Sequence, residues 1–134
     1  MKLKAVIVLL AVTLAIITAS CAGMPPQARP TSIEPFLGNW TGSWRSSVNP
    51  SDGGTVSVEI IADTQSRPNG AIYTAMSPQF RMNRIRGELR NGELVFTTPW
   101  RAELTFALYG KDRLEVTYSN PVNQDRGIWS LSRK

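Results

Sequence analysis

The chain has 134 residues, with 15 basic and 10 acidic side chains, one cysteine and no histidine. That inventory excludes a disulfide framework and an ordinary zinc site, because neither has enough ligands. Two of the lysines, Lys2 and Lys4, lie in an apolar leader, so the remainder carries 13 basic against 10 acidic groups, too small an excess for an electrostatic nucleic-acid binder.

Residues 1–20 come first. Lys2 and Lys4 precede an apolar run from Ala5 to Ile17, interrupted by Thr13. A charged start followed by a short apolar run is the pattern of a secretory signal and is too short for a stable membrane span. Its removal leaves 114 residues, enough for one domain with one small core. The run ends in Thr18-Ala19-Ser20-Cys21. Small residues at the two positions before a cysteine resemble the bacterial lipobox, although Thr18 stands where leucine is commoner. The resemblance implies that Cys21 is diacylated, with palmitate as the kind of chain, and becomes the mature N-terminus. The alternative is an ordinary signal cut near Cys21, which leaves an exported thiol without a role. Ala22, rather than aspartate, follows the cysteine. In a two-membrane bacterium that resemblance implies an envelope protein anchored by its lipid to the outer membrane and facing the periplasm. Residues 21–35 hold Pro25, Pro26, Pro30 and Pro35 with little apolar content, which predicts an extended, lipidated tether.

From Phe36 the pattern changes to short segments of period-two alternation separated by turn signals. Eight are expected. They are Gly38–Ser46, Thr55–Ala62, Ala71–Met76, Phe80–Arg90, Glu93–Thr97, Arg101–Tyr109, Arg113–Tyr118 and Arg126–Arg133. Asn49 to Gly54, Arg67-Pro68-Asn69-Gly70, Ser77-Pro78, Asn91-Gly92, Pro99, Gly110-Lys111-Asp112 and Asn120-Pro121 separate them, with Asn91-Gly92 the strongest hairpin signal. The inward faces carry Trp40, Trp44, Val56, Val58, Ile60, Ile85, Leu89, Leu94, Phe96, Leu104, Phe106, Leu108, Leu114, Val116, Tyr118, Trp129 and Leu131, with Gly42, Ala102 and Gly127 as the small positions. No segment after residue 20 shows an apolar 3.6 period over three turns. The expected fold over residues 36–134 is all-β: an eight-stranded antiparallel up-and-down barrel, which leaves no exposed edge. A two-sheet β-sandwich is the alternative.

Gly38-Asn39-Trp40 opens the first strand and Trp129-Ser130-Leu131-Ser132-Arg133 closes the last. This resembles the calycin superfamily of lipocalins, fatty-acid-binding proteins and avidins. The resemblance implies that Gly38 and Trp40 sit where the first strand enters the barrel, that the ring closes one end, and that Arg133 packs across it. A guanidinium suits that place because it stacks on a ring while its donors meet nearby carbonyls. The chain is short for a lipocalin. It lacks a Thr-Asp-Tyr motif and a helix before the last strand, so a small lipocalin-like or avidin-like barrel is the nearest description.

Candidate sites are few. Without histidine the usual general base is absent, and no nucleophile elbow or phosphate-binding glycine loop occurs, so no enzyme, metal or cofactor is expected. Asn39-Trp40-Thr41 fits a glycosylation sequon, which a bacterial lipoprotein signal makes a chance match. Arg81, Arg84, Arg86 and Arg90 make the fourth strand basic. Its alternation breaks, and a bulge near Asn83 would turn Arg84 and Arg86 outward. Without the bulge they would enter the barrel, as arginines do in fatty-acid-binding proteins. Candidate contacts to a ligand or partner are Trp44, Tyr73, Arg84, Arg86 and Tyr118, with the loop Asn120 to Asp125 bordering a mouth. The reading is a non-catalytic envelope lipoprotein that binds a small apolar or amphipathic ligand. The alternative is a filled barrel that serves as an interaction module.

Overall fold

The computed structural model of the chain describes residues 23–74 and 81–134, with the backbone alone at 71–74 and 81–83. Among the described residues nine strands are formed: β1 (Gln27–Ala28), β2 (Gly38–Ser46), β3 (Gly53–Ala62), β4 (Pro68–Thr74), β5 (Arg81–Arg90), β6 (Glu93–Thr97), β7 (Glu103–Tyr109), β8 (Arg113–Ser119) and β9 (Arg126–Arg133). A single 3-10 turn, Glu34–Phe36, precedes β2.

The chain is a closed antiparallel barrel. Strands β2 to β8 pair with their sequence neighbours, and β9 pairs with both β8 and β2. The ring therefore closes between the first and last barrel strands, with Trp40 opposite Arg133 and Trp44 opposite Trp129. The sandwich alternative is excluded. Alternation along each strand puts apolar side chains inside and Thr41, Ser43, Arg45, Thr55, Ser57, Arg113 and Ser130 outside. This is the reverse of a membrane-spanning barrel, whose outward face is apolar.

All seventeen side chains expected to face inward are buried or packed against the core. Small positions do not leave holes. The Phe96 ring lies over Gly70 and Gly87, and the Tyr118 ring lies over Gly127. Among the described residues, two buried apolar side chains were missed: Val95 in β6, and Phe36, fully buried at one end of the barrel. Pro35 starts its turn, and that turn tips the ring under the strand ends.

Local turn chemistry accounts for most of the connections. Asn91 and Gly92 both have positive φ, at 49° and 78°, as the tight hairpin between β5 and β6 requires. The expected turn at Arg67-Pro68-Asn69-Gly70 lies elsewhere: Pro68 begins β4, and the chain reverses between Asp63 and Arg67. The Asp63 carboxylate accepts hydrogen bonds from the backbone N–H groups of Gln65 and Arg67 and from the Arg67 side chain, at 2.8–2.9 Å. The Arg67 N–H is the largest of the contacts that hold this carboxyl below its usual range. This Asx-type turn overrides the Asn-Gly signal, and Gly70 instead makes room for Phe96. Between β4 and β5 the register shifts, with Gly70 opposite Ile85 and Ile72 opposite Met82. The extra residue falls in β5 at Asn83–Arg84, so the expected bulge is present and Arg84 and Arg86 are exposed.

The Pro-rich segment, expected to run free as a tether through Pro35, is laid on the barrel from Gln27 onward. Strand β6 is shorter than β7, so the edge of β7 at Leu108 and Tyr109 has no partner in β6. Strand β1 fills that edge. Arg29 then donates to the Asn91 carbonyl at 2.9 Å and pairs with Glu93 at 3.5 Å, while Ala28 and Ile33 pack on the core. An unpaired edge and a nearby apolar side chain suffice to dock a segment that composition alone describes as extended.

Candidate functional site

The two ends of the barrel differ. At one end the Trp40 indole N–H donates to the Phe36 carbonyl at 2.8 Å, and the Arg133 guanidinium carbon stands 4.2 Å above the Trp40 ring. Arg133 also donates to the carbonyls of Leu37, Pro35 and Lys111 at 2.7–3.0 Å and to Asp112 at 3.2 Å. Gly38 has φ of 122°, and a side chain there would press on the guanidinium at 3.1 Å. Trp40 and Phe36 are fully buried here with Arg133 laid over them, and together they plug this end.

At the opposite end the interior runs out along a series of rings. Phe96 meets Phe106 at 5.2 Å between centroids, and Phe106 meets Trp129 at 6.4 Å. Trp129 meets Tyr118 at 6.2 Å, and Tyr118 meets Trp44 edge-on at 6.4 Å. Burial falls along the series, from fully buried Phe106 to partly exposed Tyr118 and Trp44. The Trp44 indole nitrogen is buried and has no hydrogen-bond partner among the described residues, which carries a desolvation cost.

A polar cluster fixes the loops beside these rings. The Asp125 carboxylate accepts from the Tyr118 hydroxyl at 3.0 Å and from the Ser46 hydroxyl at 3.1 Å. Ser46 in turn accepts from the backbone N–H groups of Val48 and Asn49. The cluster thereby ties the 47–52 loop to the 120–125 loop. Burial, followed by the Asp125 carboxylate, pushes the Tyr118 hydroxyl up to about 12. Tyr118 is therefore a neutral donor across the ordinary pH range, and Asp125 is occupied as an acceptor. Three described loops at this end carry exposed apolar side chains: Val48, Trp100 and Val122. An open groove of about 590 Å³ adjoins it, bordered by Trp44, Arg45, Pro50 and Ile128.

The expected contact residues do not all converge. Trp44 and Tyr118 meet at the mouth. Arg84 lies on the outer wall, paired with Glu59 at 3.0 Å, and Arg86 is exposed on the same strand. Tyr73 stands opposite Ser57 and Arg81 in the sheet, and its side chain is outside the described residues, as is Cys21. The apolar loop tips were missed. Their signal was an apolar residue inside a turn, with Trp100 and Val122 directly after Pro99 and Pro121 and Val48 two residues before Pro50. Among the described residues no group of three or more acidic or cysteine side chains is placed to hold a metal ion.

No family model matches the chain, and no curated protein does. The fold resembles a crystal structure of a protein of unknown function from the DUF3598 family of Nostoc punctiforme. The TM-score is 0.53 at 16% identity, covering 84% of this chain and 53% of that one. The chain thus spans about half the length of that neighbour. At this identity the likeness shows the fold alone, a barrel to which no activity is attached.

Proposed function

We propose that this chain is a cell-envelope lipoprotein whose barrel is a calycin-like, non-catalytic binding domain. In this reading it is held by the lipid on Cys21 at the outer membrane, facing the periplasm. The bound group is small and apolar, or the apolar tip of an amphiphile, and it sits at the mouth rather than inside the barrel. One observation carries this reading: Trp44 is partly open at the mouth, with Tyr118 edge-on beside it. A small apolar group would cover the open part of the ring. In this reading the interior takes nothing longer, since buried rings from Trp40 to Trp129 lie inside it and eight strands enclose little more than their own side chains. No reaction is assigned, because Asp125, the carboxylate of the mouth cluster, is engaged by Tyr118 and Ser46.

Native mass spectrometry of the protein purified without added ligand tests this. A co-purified small molecule that is lost in Trp44→Ala supports it, whereas a clean apo mass with Trp44 fluorescence indifferent to small aromatic probes overturns it. A second reading, an interaction module with a filled barrel, draws on the exposed Val48, Trp100 and Val122 at the loop tips. It predicts an apo mass and a partner lost when those tips are made polar.

A further inference from the structure

The docked N-terminal segment sets how the barrel stands on its anchor. Pro25 lies against the β7–β8 turn, its ring carbons 3.4 Å from where a side chain at Gly110 would begin. Gln27 and Ala28 then pair with the end of β7, and Arg29 binds the β5–β6 turn. Both turns belong to the plugged end, beside Trp40 and Arg133. Three residues separate Cys21 from Pro25, so even fully extended the four Cα steps reach about 14 Å. Most barrel strands have 7–10 residues, which at about 3.3 Å per residue and a tilt near 40° makes the barrel about 20 Å tall. The anchor segment is shorter than the barrel.

We infer that the plugged end is the face laid on the lipid surface, and that the mouth points away from it. This rests on the acylation of Cys21 proposed above. The surface presented to the head groups includes an open groove of about 630 Å³ between Arg29, Pro35, Lys111, Asp112 and Arg133, in which Asp112 is paired with Arg133. Lys111 is exposed there and makes no ion pair with a described residue. Arg29 keeps more than half of its side chain in solvent. These cations meet lipid phosphates, while the apolar tips Val48, Trp100 and Val122 stay on the far side. The mouth then takes its ligand from the aqueous compartment or from a facing partner, and not from the membrane that holds the anchor.

The test uses the full chain, processed in a bacterial host and reconstituted in vesicles of phosphatidylethanolamine and phosphatidylglycerol. Acylation blocks Cys21, so Lys111→Cys or Val122→Cys supplies a single free thiol for a fluorescent label. Both positions are exposed. Nitroxide-bearing head groups should quench the label at 111 severalfold more than the label at 122. Inserting a flexible stretch of about a dozen residues after Gly23, long enough to span the barrel, should erase the difference. Equal or reversed quenching in an acylated protein overturns the orientation and leaves the lipoprotein reading standing. A difference that survives the insertion shows that the short anchor does not set the orientation. An unmodified Cys21 and no vesicle association overturn the lipoprotein reading, and this one with it.

Discussion

Trp40 and Arg133 are 93 positions apart in the chain, yet each is useful only because the other is there. The ring is buried and needs an acceptor for its N–H, which the Phe36 carbonyl supplies, and a cover, which the guanidinium supplies. Arg133 in turn gathers the carbonyls of Pro35 and Leu37, ahead of β2, and of Lys111, in the β7–β8 turn. Trp40→Ala should cost on the order of 3–5 kcal/mol, the range for truncating a buried aromatic. Arg133→Ala should cost less, and the pair should be non-additive because the groups touch. Additive effects in a denaturation double-mutant cycle would mean that ring and guanidinium do not meet in solution. Tyr118 gives a pH signature. Its hydroxyl is raised from 10.0 to about 12 by burial and then by Asp125. A phenol whose pKa is raised on folding stabilises the protein fully below the unfolded value and loses that contribution as pH climbs through the folded one. The stability difference between the wild type and Tyr118→Phe, measured by urea denaturation, should therefore shrink from pH 10 to about pH 12. A difference that stays flat across that window would place the hydroxyl outside the Asp125 pair.

At the scale of elements, β1 is the strand that composition concealed. Two residues form no strand by propensity, and the segment around them is rich in proline. They pair because β6 stops short and leaves two residues of β7 without a neighbour. Deleting residues 22–33 from a chain that starts at residue 22 should lower its stability by about 1–3 kcal/mol, chiefly through exposure of the apolar surface now under Ile33 and Ala28. An unchanged denaturation midpoint would show that the segment detaches in solution. The β5 bulge is the opposite case. It was legible because four arginines interrupt the alternation, and an extra residue is the cheapest way to keep uncompensated charge out of the core.

At the scale of the whole molecule, the barrel's interior decides what it can hold. Eight strands enclose a space that side chains fill or that admits one small ligand. Here Trp40, Phe36, Phe96, Phe106 and Trp129 occupy it. Long-chain fatty acids should therefore show no stoichiometric, submicromolar binding by calorimetry. Such binding would mean that the rings swing aside and that the barrel is a carrier. The anchor is tested separately. Cys21→Ser should move the protein from the detergent phase to the aqueous phase, or leave the leader uncleaved. A wild-type protein in the aqueous phase with a free thiol would remove the lipoprotein reading.

What the sequence determined by itself was local. Period-two alternation assigned Val56, Val58 and Ile60 to the same face, and Asn91-Gly92 set a hairpin, because both depend on residues within a few positions of each other. The Trp40 and Arg133 motif was readable for a related reason: the first and last strands of a closed meander must pair. The tertiary structure decided the rest. Asp63 overrode an Asn-Gly signal by binding two backbone N–H groups at once. Phe36 entered the core from a turn, where no alternation marks it. Ser46 and Asp125, 79 positions apart, met only when strand stagger brought two loops to one end of the ring. Which loop tips surround the mouth is likewise a property of the closed sheet, since stagger around a barrel is a sum over every strand pair and no single segment encodes it.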